Sequence, residues 1–173
     1  MTNTAIVCTL KNNIIHALCG DSDIDTAIDS PTFHGSQLMG THVFHHNKNP
    51  ADVSEPITFI NVTVDTSIRE QNESLTTSIL SVYIYSHRDH LDLPTNLTDE
   101  NTYISRNDHL ASLISRKLNG NCSYGGFGPL KFMADVEIPT DKQCTACQNQ
   151  SPFSGRKLTF QAVDRNHTLY DGM

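Results

Sequence analysis

The sequence predicts an α+β fold in which two helices pack on a four-stranded, mainly antiparallel or mixed sheet, with long loops between the elements. Two segments repeat apolar residues at three- and four-residue steps, as amphipathic helices do, and four segments alternate apolar with polar residues, as half-buried strands do. Their order along the chain is helix, strand, strand, helix, strand, strand, which most simply buries both helices on one face of one sheet.

The first helix is expected over residues 5–18, where Ile6, Val7, Leu10, Ile14, Ala17 and Leu18 share a face and Gly20 is placed for a left-handed stop. Residues 21–56 mix acidic side chains with Pro31, Gly35, Gly40 and Pro50, and read as a long excursion. Within it, one turn of helix is expected around residues 24–28, and a short apolar-polar segment lies at 41–45. Residues 57–65 alternate, with Ile60, Val62 and Val64 on one face and Asn61, Thr63 and Asp65 on the other. Residues 75–86 do the same through Leu80, Val82 and Ile84, so the two form an antiparallel hairpin joined by the polar segment 66–74. After a polar loop at 89–105, Leu110, Leu113, Ile114 and Leu118 mark the second helix over residues 107–118, capped by Ser105 or Asn107 and stopped by Gly120. Two last strands follow. Residues 130–137 place Leu130, Phe132, Ala134 and Val136 on one face, and residues 157–163 centre on Leu158, Phe160 and Ala162.

A chain of 173 residues can bury one sizeable core, so a single structural domain over residues 1–173 is expected, with loop excursions at 21–56, 89–105 and 141–152. The formal charge of -7 and pI near 5.6 argue against direct nucleic-acid binding, which needs clustered Lys and Arg on phosphates. No apolar run approaches the ~20 residues of a membrane span, and the N-terminal stretch lacks the pattern of a signal peptide, so a cytosolically made protein is expected. The six Asn-x-Ser/Thr sequons then carry no weight. Five irregularly spaced cysteines in a reducing compartment do not make a disulfide framework.

Each group of chemistry-bearing residues also has a plainer explanation. Of the nine histidines, His42, His45 and His46 lie close together, as do His87 and His90. The run His87-Arg88-Asp89-His90 follows a strand, as the metal motif of metallo-β-lactamase-like hydrolases does, and supports an alternative from another class: a metal-dependent hydrolase using His87, Asp89 and His90. The first of the motif's paired histidines is missing, and a polar strand-end loop explains the same residues. Cys144 and Cys147 have the spacing of half a zinc site, but the second ligand pair has no counterpart beyond Cys122 and a distant His167, and a polar loop with two thiols is the simpler account. The glycine-rich run at 120–128 follows a helix and leads into a strand, the reverse of a phosphate-binding loop. No nucleophile elbow is present. No catalytic residue, cofactor or resident metal is therefore expected.

The second half carries a resemblance. Arg106-x-Asp108-x-Leu110-x-x-Leu113-Ile114, Leu118-Asn119-Gly120, Gly126-Phe127-Gly128-Pro129-Leu130, Phe153-x-Gly155-Arg156-x-Leu158-Thr159-Phe160 and Asp164-x-Asn166 resemble small structural proteins of tailed-bacteriophage head-to-tail modules. The order of elements is similar to that of phage tail terminators. The likeness covers residues 57–166, with a fainter match at 40–50, and its motifs are structural. It implies a virion protein of the neck or tail, assembled in the host cytoplasm into a ring of six identical subunits that meets the tail-tube protein on one side and head-tail connector proteins on the other. A head-completion or connector subunit is the nearest alternative. The loops at 21–56 and 89–105 are then the contact surfaces, with Thr41, His42, Phe44, His45, His46, Asn47, Asp89 and His90 as interface candidates. The 141–152 insertion departs from the family pattern.

Overall fold

The structure is a computed structural model that describes residues 3–69, 72–93, 97, 104–124, 128–138 and 151–165. Its fold is α+β, with three helices and a five-stranded mixed sheet. The elements are α1 (Asn3–Cys19), α2 (Ser22–Ile28), β1 (Val43–Phe44), β2 (Thr58–Arg69), β3 (Asn72–His87), α3 (Arg106–Leu118), β4 (Lys131–Ile138) and β5 (Phe153–Arg165). The strands run β1-β2-β3-β5-β4; β1 is parallel to β2 and every other pairing is antiparallel.

The alternation read in the sequence sets the inner face. Ile60, Val62 and Val64 of β2, Leu80, Val82 and Ile84 of β3, and Leu158, Phe160 and Ala162 of β5 pack against Leu10, Ile14 and Leu18 of α1 and Leu110, Ile114 and Leu118 of α3. α3 begins as its sequence requires: the Ser105 hydroxyl accepts from the Asp108 backbone N–H, and Asp108 faces the positive end of the helix dipole. It ends at Gly120, whose φ of 76° is left-handed and whose N–H donates to the Leu130 carbonyl at 2.7 Å.

Several expectations are corrected. The helical turn expected around residues 24–28 is present as α2, and the excursion at 21–56 also holds the unexpected strand β1; together they raise the count to three helices and five strands. α2 is only seven residues long, capped by the Asp21 carboxylate, which accepts from the N–H groups of Asp23 and Ile24. β1 has two residues, too few to show a period, yet Val43 is fully buried and the His42 carbonyl accepts from Ile60 N–H at 2.7 Å. Removing residues 41–49 would therefore take away part of the sheet. At the end of α1, Gly20 is not left-handed; the left-handed residue in this region is Asp29, at φ 56°, which ends α2. The hairpin arms extend through polar residues read as a loop, since Thr66 pairs with Ser78 and Ser67 with Thr77.

β4 departs from simple alternation. Its register against β5 shifts between Phe132 and Ala134, so Met133 is an extra residue, a β-bulge. Phe132 lies opposite Phe160 on the inner face, their rings 5.6 Å apart, whereas Ala134 and Val136 lie opposite Thr159 and Lys157 on the outer face. Simple alternation put all of them on one side. The bulge turns Val136 outward, where it is 55 % exposed, and puts Asp135 and Glu137 in line with Leu158 and Arg156.

Candidate functional site

The end of the sheet where β2 starts and β3 finishes gathers most of the polar residues singled out in the sequence. Arg106, the first residue of α3, has a side chain only 2 % exposed. Burying a guanidinium is costly unless every N–H is used. Here Nε donates to the His90 carbonyl at 2.7 Å, Nη1 to the Ala27 carbonyl at 2.6 Å, and Nη2 to the Asp92 carbonyl at 2.6 Å and the Asp29 carboxylate at 3.2 Å. The Arg106 backbone N–H also donates to the Leu91 carbonyl. One side chain thus ties the end of α2 to the 88–92 segment and to α3. Burial pushes its guanidinium below the ordinary value, and the carboxylates of Asp29 and Asp92 oppose that shift.

Beside it runs a chain of hydroxyls whose direction follows from counting hydrogens. The Asn107 amide nitrogen donates to the Ser154 carbonyl, so its oxygen accepts, at 2.7 Å, the hydroxyl hydrogen of Ser86. Ser86 Oγ must then accept from Thr58 Oγ1 at 2.9 Å, and Thr58 must accept from His90 Nδ1, also at 2.9 Å. His90 is therefore protonated on Nδ1, and its Nε2 faces the Asp29 carboxylate at 3.7 Å. Thr58 and Ser86 are fully buried, so neither offers a substrate an accessible nucleophile. The array is an interior brace.

Two of these histidines set an acid limit on stability. Burial pushes the His90 imidazole below its ordinary 6.5, helped by the positive charge of Arg106 and opposed by Asp29; burial does the same to His42. The unfolded chain therefore binds more protons than the native one, so the stabilisation is present above about pH 6.5 and is lost as pH falls below it, each histidine contributing up to about 1.4 kcal/mol per pH unit. Urea midpoints between neutral pH and the mildly acidic range should fall for the wild type and fall less for His42→Gln. An unchanged slope in the variant would count against His42 as a cause.

The residues weighed as a metal site are committed elsewhere. His87 Nδ1 accepts from the Asp89 backbone N–H, His90 spans Thr58 and Asp29, and the Asp89 side chain is 72 % exposed. Among the described residues no three His, Cys, Asp or Glu side chains are grouped as a metal site. Cys144, Cys147 and His167 lie outside the described residues, and Cys122 is exposed.

The interface candidates divide. His42 and Phe44 are buried inside the subunit and His90 is mostly so, Thr41 is half-buried, and His45, His46, Asn47 and Asp89 are exposed. Phe44 belongs to a second apolar cluster on the outer face of the sheet, with Val53, Phe59, Tyr85 and Phe153. Gly155 makes room for it: a Cβ there would stand 2.8 Å from the Tyr85 ring. That cluster covers one end of the outer face. Farther along, Tyr83, Thr63, Thr159 and Gln161 are half-buried, and Val136 and Val163 are exposed. Lys48 lies 4.5 Å over the Phe44 ring and Lys157 5.2 Å over Tyr83.

Sequence reasoning placed Arg106 and Asp108 at a helix start but missed the Asp29 partner, 77 residues away. A signal was present, because an arginine in the first helical turn opposes the dipole and so needs another reason to be there. Arg156, just before the strand expected over residues 157–163, lies inside β5 and pairs with Asp108 and, at 2.6 Å, with Asp135. Asn107, Asp108, Gly155 and Arg156 line a cleft of about 260 Å³ between α3 and β5, so residues carrying the phage resemblance meet there.

Comparison with curated proteins found no match. A protein-family model described as YomW matches residues 11–162, which takes in all of the sheet and helices except the first turns of α1 and the last residues of β5. The chain belongs to the YomW family, whose name is phage-derived and points to a phage protein.

Proposed function

We propose that this protein is a non-enzymatic virion subunit that forms a ring between the tail tube and the head connector, as a tail terminator or neck protein. The observation that carries this reading is the outer face of the sheet. A sheet buried on one side normally presents polar residues on the other; here half-buried Ile79 and Tyr83 and exposed Val136 and Val163 stand among the hydroxyls of Thr63 and Thr159. Such a face suits burial against a neighbour in an assembly. The phage-derived family and the resemblance of residues 57–166 to head-to-tail module proteins support the same reading.

Complementation tests it. Val136→Asp with Val163→Asp replaces two exposed side chains, so the subunit should stay folded by circular dichroism with stability changed by about 0.5 kcal/mol or less. Supplied to a phage lacking the gene, the double variant should fail to rescue particle yield, leaving heads and tails unjoined where the wild type restores virions. Normal yield from the variant would remove this face from any role in assembly.

A further inference from the structure

Four cations on the helical side reach carboxylates, Arg106 to Asp29, Arg116 to Asp23, Lys117 to Asp21, and Arg156 to Asp108 and Asp135, while Lys11 of α1 reaches the His45 carbonyl. On the outer face of the sheet the cations meet aromatic rings or solvent. Lys48 and Lys157 rest over aromatic rings with no carboxylate partner among the described residues, and Lys131 is exposed at the start of edge strand β4. The register places Val136, Lys157 and Tyr83 side by side across β4, β5 and β3, so that one of these cations sits among apolar neighbours. Asp65 is the exposed acid on the same face, and Asp52 and Glu55 lie in the turn at its aromatic end.

A second surface, along α2 and the 88–92 segment, is rich in aspartate. Asp21, Asp23, Asp25 and Asp29 follow one another along α2 and its caps, and Asp89 and Asp92 continue from Asp29 through the 88–92 segment. Asp23 is 66 % and Asp89 72 % exposed, and the cations on this side are Arg88, Arg106, Arg116 and Lys117. Six aspartates against four cations leave an acidic strip, in keeping with the chain's net charge of -7.

We propose that the outer face of the sheet, through the side chains of Lys48, Lys131 and Lys157, seats the acidic strip of a second copy of this chain. The contact joins two different surfaces, so it is head-to-tail and can propagate into a closed ring. Lysines already resting on rings lose little freedom on meeting a carboxylate, and the apolar surface of Val136 and Tyr83 supplies the contact between them. This rests on the assembly reading above and names the partner of its face.

Two charge reversals in the full chain test it. Lys131→Glu with Lys157→Glu alters only the sheet face, and Asp23→Lys with Asp89→Lys alters only the strip; all four side chains are exposed or half-exposed, and circular dichroism confirms that each variant is folded. In sedimentation velocity at tens-of-micromolar concentration, the wild type should associate at low ionic strength and dissociate as salt rises from about 0.05 M to about 1 M. Each variant alone should be monomeric. An equimolar mixture should form a 1:1 heterodimer that grows no further, because one intact sheet face meets one intact strip. The milder pair Lys131→Gln with Lys157→Gln should weaken association by about ten-fold. A wild type that stays monomeric at low salt, a reversed variant that assembles like the wild type, or a mixture without heterodimer would each overturn the contact. A chain that associates in this way while phage lacking it remain infectious would sink the assembly reading and leave the contact standing; a monomeric chain that particles nevertheless require would do the reverse.

Discussion

Arg106→Ala is expected to lower the stability of the protein by about 3–5 kcal/mol, the range for removing one partner of a buried charged pair. The loss has two parts. Asp29 keeps a carboxylate whose main counter-ion is gone, and the carbonyls of Ala27, His90 and Asp92 lose the N–H groups now 2.6–2.7 Å from them. Asp29 is half exposed, so water screens part of the first effect; the buried Ala27 carbonyl has no such relief. Arg106→Lys should recover little, because one ammonium cannot reach acceptors on four sides as a planar guanidinium does. Urea unfolding followed by circular dichroism decides the matter. A loss below about 1 kcal/mol would mean that α2, the 88–92 segment and α3 are held together by apolar packing alone.

Phe59→Ala is expected to cost about 3–5 kcal/mol, as truncating a buried phenylalanine usually does. Phe59 is fully buried at the centre of the second cluster, with ring centroids 5.2 Å from Tyr85, 5.5 Å from Phe153 and 6.1 Å from Phe44. Its loss opens a cavity where β1 and the 50–56 turn meet the sheet, on the side away from the helices. Local opening should therefore accompany the global loss, with faster amide exchange at Ile60 N–H, which donates to the His42 carbonyl, than on the β3 and β5 inner strands. Unchanged stability would show that this cluster is incidental to the fold.

The comparison of these two sites shows what a sequence can disclose. The inner core was legible because each contributing element carries its period in its own residues: Ile60, Val62 and Val64 repeat every second position, Leu110, Ile114 and Leu118 every fourth. The outer cluster was not, because Phe44, Phe59, Tyr85 and Phe153 fall at the polar phase of their strands or in an element too short for any phase. The Met133 bulge was hidden for a related reason, since an inserted residue shifts the faces without altering local composition. Asp29 and Arg106 meet through the packing of α2 against α3, and no local pattern records a pair 77 residues apart. The hydroxyl chain from Asn107 to His90 draws on β2, β3, α3 and the 88–90 turn, and each of its members taken alone is an ordinary polar residue.

The clustered histidines carry a parallel lesson. His87 and His90 lie two residues before and one residue after Asp89 in the chain, yet the 3₁₀ turn Arg88–His90 sends His90 inward to Thr58 and leaves Asp89 in solvent. His42 turns into the subunit, while His45 and His46 stay on its surface with their rings 5.1 Å apart. Spacing along the chain grouped them; the backbone separates them.

The central claim is that this chain is a ring-forming structural part of a phage particle, at the junction of tail and head. Electron microscopy of the virions of a phage that encodes it, combined with mass spectrometry of the purified particles, tests that claim most directly. The account predicts stoichiometric amounts of the chain in mature virions and a ring of density at the neck that fits a three-helix, five-stranded subunit, with the outer face of each sheet covered by its neighbour. Infectious particles that lack the chain, or a neck built entirely of other proteins, would contradict it.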